Sequence, residues 1–124
     1  SERELMFVGR RRERHALAAR LFEAGIPLVS GNDAGVSNCH IRDYPGDLID
    51  TVEGSGLSPA AVLHSATSVA AAALGREELG VIAAGKAADL LAVRGDVVAD
   101  IHAIARPVMI MARGNVVHGG GEKN

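Results

Sequence analysis

The stretch Gly25-Ile26-Pro27-Leu28-Val29-Ser30-Gly31 constrains the fold more than any other part of the chain. Before it, residues 10–24 place Leu17 and Leu21 four apart with Ala18 and Phe22 beside them, which predicts a helix with one face turned inward. Gly25 follows as a residue that accepts a left-handed conformation, and Pro27 forbids the helix from continuing. Ile26 to Ser30 is then a short apolar run between glycines, the pattern of a buried parallel strand entered from a helix. Helix, tight turn and buried strand make half of a βα repeat.

The polar stretch that leaves this run, "GNDAGVSNCHIRDY", places Asp33 at the C-terminal end of the expected strand. Strand ends in α/β folds and barrels are rigid while the loops above them vary, so chemistry collects there. Gly31 and Gly35 on either side let the backbone turn and leave room for a ligand or metal. The competing local reading is an Asx-turn or a helix cap, which is what most loop aspartates form.

Downstream, residues 43–53 carry Leu48, Ile49 and Val52 on one face and predict a helix ended by Gly54-Ser55-Gly56. Ser58 as N-cap and Pro59 as first helical residue start another, continuing through Val62, Ala66, Val69, Ala70 and Ala73 to Gly75. After Gly75 the texture turns to β-type runs at 80–82, 88–93, 108–112 and 116–118, with a short helical turn expected at 99–105. Arg113-Gly114-Asn115 is a tight hairpin signal, and the glycines at 119–121 begin a frayed tail. The chain therefore divides near residue 75 into an α/β part, 1–75, and a mostly β part, 76–124.

With 124 residues there is material for one core, and 48% hydrophobic against 23% charged residues fits a packed chain. Aromatic residues are only 2% and the net charge is −2, so neither nucleic-acid nor membrane partners are expected. The basic cluster Arg10-Arg11-Arg12 with Arg14 reads as a solvated helix start, an anion-binding patch being the alternative. One cysteine, Cys39, excludes an internal disulfide, and the charged start Ser1-Glu2-Arg3-Glu4 is no signal peptide; a cytoplasmic location is expected.

Three segments, "AGIPLVSGNDAGVSNCH", "GLSPAAVLHSATSVAAAALG" and "ELGVIAAGKAADLLAVRGDVVADI", resemble in order and spacing the C-terminal portion of a metal-dependent amidohydrolase. The branch they resemble is that of prolidase, Xaa-Pro dipeptidase and imidazolonepropionase. The resemblance implies an α/β fold, a (β/α)₈ barrel with a small β-sandwich built from both chain ends. This chain would supply the last barrel strand and its helices, followed by C-terminal strands of the sandwich, and the barrel would be incomplete. Ile26 to Ser30 would be the eighth strand. Asp33 would match the strand-eight aspartate that ligates the metal, takes a proton from metal-bound water and delivers it to the departing amine. His40 would match a histidine of the prolidase-like loop that contacts substrate. Asn32 departs from the Ser or Thr common before that aspartate.

The implied cofactor is a divalent metal, zinc by preference, and the implied substrate is a small amide or dipeptide. Zinc needs three protein ligands and an open position. The family draws most of them from upstream: a His-x-His pair, a lysine of the fourth strand and histidines of the fifth and sixth. Here His15, His40, His64, His102 and His118 include no such pair, and Lys86 and Lys123 lie in the β part and the tail. His15 and His64 read as surface or boundary residues, Cys39 as a small buried group, and Lys86 and Asp89 as turn-shaping residues. A full barrel takes ~250 residues, so this chain alone is expected to be inactive. The open strand edges call for a homo-oligomer or an upstream polypeptide. The rival reading is a non-enzymatic, truncated module for oligomerisation or partner binding.

Overall fold

A computed structural model describes residues 2–35 and 40–119, with the side chains of residues 2–8 left aside. Helix α1 runs Glu2–Glu23, beginning well before the expected residue 10. Its end follows the sequence signal: Gly25 takes φ 76°, its N–H bonds to the Phe22 carbonyl at 2.9 Å, and the Ile26 N–H reaches the Leu21 carbonyl at 3.0 Å. The chain then runs extended from Ile26 to Ser30.

That segment is where expectation and structure part. Residues 26–30 belong to no β-ladder, and Ile26 and Val29 are 47% and 54% exposed, so they form neither a strand nor a buried one. A parallel strand exists only by pairing with neighbours, and among the described residues none is beside it. Beyond the Ile26 bond that closes α1, the segment is tied to a helix, the Ser30 N–H donating to the Ser65 carbonyl at 3.0 Å. For the same reason Leu17, expected to face inward, is 52% exposed.

A 3₁₀ turn, Ile41–Asp43, leads into α2, Tyr44–Ser55, which passes through Gly54 and stops at Gly56 with φ 73°. Helix α3, Pro59–Ala66, starts as expected, the Ser58 Oγ accepting the Ala61 N–H at 3.2 Å. The expected continuous helix to Gly75 is broken at Thr67 (φ −126°, ψ −94°), and α4 resumes over Ser68–Ala73. Thr67 Oγ1 donates to the Leu63 carbonyl at 2.7 Å, and the break leaves the Ser65 carbonyl to receive Ser30. Leu48 of α2, Val62 of α3 and Ile104 form the core cluster, with Tyr44, Leu57 and Val97 packed on it.

The β part is a three-stranded antiparallel sheet ordered β1-β2-β3: Leu90–Val93, Pro107–Ala112 and Asn115–Gly119. A 3₁₀ turn, Ile101–Ala105, joins β1 to β2 and delivers Ile104 to the core. Arg113 (φ 49°) and Gly114 (φ 78°) make the β2–β3 hairpin turn. Leu90 and Ala92 pair with Met111 and Met109 on the half-buried face. The expected run at 80–82 is not a strand, and Ile82 is 90% exposed. No second sheet occurs among the described residues, so the expected sandwich is represented by one sheet.

Candidate functional site

Asp33 stands at the end of the extended segment, exposed, with φ 54°, and no hydrogen bond or ion pair reaches its carboxylate among the described residues. Gly35, at φ 111°, completes the turn, whereas Gly31 takes an ordinary conformation and its missing side chain faces open space. The turn therefore falls on Asp33 and Gly35 rather than on both glycines. Asn32 Oδ1 accepts the Ala34 N–H at 3.2 Å, and its Nδ2 donates to the His40 carbonyl at 3.0 Å. The Asx-turn considered from sequence is thus present, but Asn32 makes it, leaving Asp33 unengaged.

Asp33 borders a cavity of about 870 Å³ walled by α1, the extended segment, α2, α3 and the start of α4. Its walls are mostly apolar, with Phe22, Leu28 and Val69 among them. Its charged members are Asp33, Asp47, Asp50 and Arg14, with the imidazoles of His15 and His64 beside them. Asp50 is engaged: Arg11 Nε donates to its Oδ2 at 2.8 Å, and His15 Nε2 lies 3.3 Å from the same oxygen. The His15 side chain is only 16% exposed, its ring lying against Gly54 of α2. His15 and His64, expected as surface or boundary residues, are half-buried and exposed respectively; both also line the cavity, and the 35-residue separation of His15 from Asp50 gave no signal of their meeting.

His40 is exposed, opens the 3₁₀ turn and is not among the cavity-lining residues. Its N–H donates to Asp43 Oδ2 at 3.2 Å. Cys39 lies outside the described residues. His102 Nε2 sits 3.1 Å from Glu53 Oε1, tying the 3₁₀ turn to α2. Lys86 Nζ donates to the Glu77 carbonyl at 2.5 Å, and Asp89 Oδ1 accepts the Arg113 N–H at 2.6 Å, bracing the hairpin turn.

A divalent ion needs three or more donors converging on one point. Among the described residues no group of three His, Cys, Asp or Glu side chains is so placed. Asp33 offers a carboxylate and no described residue beside it completes a coordination sphere, so the described residues do not by themselves fit a metal. No helix among them is long and apolar enough to cross a membrane.

The amidohydrolase family profile matches residues 9–117. An imidazolonepropionase of Salinispora tropica is 30% identical over 103 residues, 83% of this chain and 26% of that protein. One from Cutibacterium acnes is 36% identical over 74 residues, 60% of this chain and 19% of that protein. A crystal structure of a Xaa-Pro dipeptidase with methionine bound in its active site superposes with a TM-score of 0.75 at 29% identity, over 85% of this chain and 25% of that one. The chain thus spans between 19% and 26% of the length of these relatives. Since the family profile runs from α1 through the hairpin strands, and the fold agrees with it, the chain belongs to the amidohydrolase family.

Proposed function

We propose that this chain is the C-terminal portion of a metal-dependent amidohydrolase that hydrolyses carbon–nitrogen bonds in small amide or dipeptide-like substrates, and that alone it is inactive. Asp33 is the catalytic group and metal ligand that this portion contributes, zinc being the preferred ion. His40, across the base of the same loop, is the substrate contact. The observation that carries the reading is an exposed carboxylate, unpartnered among the described residues, at the end of an extended segment on the wall of a large cavity. A carboxylate kept for local structure would be bonded to nearby backbone; this one leaves that work to Asn32.

The test compares the chain with a longer polypeptide carrying the upstream residues. Both are analysed for metal and assayed on Xaa-Pro dipeptides, N-acyl amino acids and cyclic amides. Expected are near-stoichiometric metal and turnover for the longer protein, neither for the chain, and a loss of at least ~10²-fold in kcat for Asp33→Asn. Full activity in that variant would remove Asp33 from its role.

A second reading is favoured by the exposed Leu91, Val108, Val116 and Val117 on the sheet. It holds that the chain acts as an oligomerising module without catalysis. A stable homo-oligomer of the chain, together with an inactive longer protein, would select it.

A further inference from the structure

Asn32 lies between two fixed points of the backbone. Just before it, the Ser30 N–H is held by the Ser65 carbonyl of α3 at 3.0 Å. Beyond the loop, His40 is anchored to the start of α2: its N–H donates to Asp43 Oδ2 at 3.2 Å and its carbonyl accepts the Asp43 N–H at 2.9 Å. The Asn32 carboxamide bridges to both sides of Asp33. Oδ1 takes the Ala34 N–H at 3.2 Å, closing a turn that spans Asp33, and Nδ2 gives a hydrogen bond to the His40 carbonyl at 3.0 Å. A carboxamide carries donor and acceptor on separate atoms in one plane. A hydroxyl would serve the Ala34 turn through its single oxygen, and a carboxylate would lose the donor to His40.

We infer that Asn32 is a positioning residue for Asp33: pinning the Ala34 N–H on one side and the His40 carbonyl on the other, it holds Asp33 in the left-handed conformation that leaves the carboxylate unengaged at the cavity wall. The consequence for catalysis rests on the proposed role of Asp33; the clamp itself does not.

Isotope-labelled chain with Asn32→Ala and Asn32→Asp tests the clamp. In the unaltered chain a strong intraresidue HN–Hα NOE at Asp33, the mark of positive φ, and slowed exchange of the Ala34 amide are expected. Asn32→Ala should lose the NOE and exchange that amide about tenfold faster, or more. If both persist in this variant, the inference is overturned. Asn32→Asp keeps the acceptor and drops the donor, so Ala34 should stay protected while the His40 carbonyl carbon shifts. An unmoved carbonyl would overturn the two-sided clamp, and this variant decides should the alanine variant not fold. In the longer enzyme, Asn32→Ala should lower kcat on the order of 10²-fold with little change in KM, and Asn32→Asp should recover part of it. A longer enzyme that is inactive when unaltered would end the functional proposal and leave the NOE and exchange results to judge the clamp. An active one whose Asn32→Ala variant keeps its kcat would overturn the positioning role.

Discussion

A left-handed backbone costs a residue with a side chain roughly 1–2 kcal/mol, less for Asp and Asn, and Asp33 takes this conformation with a carboxylate unpartnered among the described residues. Among the described residues nothing pairs with the charge, so Asp33→Asn should leave the chain within ~0.5 kcal/mol of its original stability in urea unfolding. A larger loss would mean that the carboxylate is held for the fold. Glu78 is the opposite case. Its own backbone N–H, and then the Arg76 guanidinium 2.5 Å away, hold its carboxyl below the ordinary 4.5. A carboxyl whose folded value is depressed favours the folded state above its ordinary value and ceases to do so as pH falls through the depressed one. Titrating the Glu78 carboxyl carbon should show a midpoint below 4.5, and Arg76→Ala should move it upward. An unchanged midpoint would deny Arg76 its part. Asp33 was legible in the sequence only as a candidate, because an aspartate following an apolar run between glycines has a recognisable place in α/β folds; its role is the one proposed above. The Asn32 clamp could not, because its partners are an amide and a carbonyl that any residue at 34 and 40 would supply.

Among the elements, those read correctly were fixed by local chemistry. The Ser58-Pro59 start of α3 needs only a side-chain oxygen three residues before an N–H, and it forms. Ser58→Ala should cost about 1 kcal/mol in urea unfolding; a change near zero would mean that tertiary packing alone holds that helix end. The hairpin at Arg113-Gly114 and the end of α1 at Gly25 are of the same kind. Elements misread depended on what lies far away in sequence. The segment at 26–30 has a strand's residues and, among the described residues, no strand beside it, and α3 breaks at Thr67 where Ser65 serves the extended segment. The α1–α2 contact is another long-range feature, with the His15 ring in the space a Gly54 side chain would fill. Gly54→Ala must displace a ring also held at Asp50, so a loss of about 1–3 kcal/mol is expected. His15→Ala in the same background should return part of it, and a Gly54→Ala variant as stable as the original would show that the helices separate freely.

At the scale of the molecule the decisive quantity is surface. A compact protein of 12.8 kDa exposes roughly 6300 Å², whereas this chain exposes 9179 Å². The excess, roughly 2900 Å² on this chain alone, is at least what an obligate interface takes from one partner, about 1000–2500 Å². Apolar residues that would close a core stand in it: Ile26 and Val29 on the extended segment, Leu91, Ile110 and Val116 on the sheet. The steepness of urea unfolding follows the surface newly exposed, and a chain that buries little has little left to expose. The isolated chain should therefore unfold with a slope below the ~1–3 kcal/mol/M of small proteins. Adding the upstream polypeptide in trans should raise the midpoint and steepen the slope, since a partner that binds only the folded form stabilises it. Far-ultraviolet circular dichroism at several ratios of the two polypeptides would follow both. A steep transition in the chain alone, indifferent to the added polypeptide, would show that the exposed apolar surface needs no cover, and the reading of this chain as part of a larger enzyme would lose its physical ground.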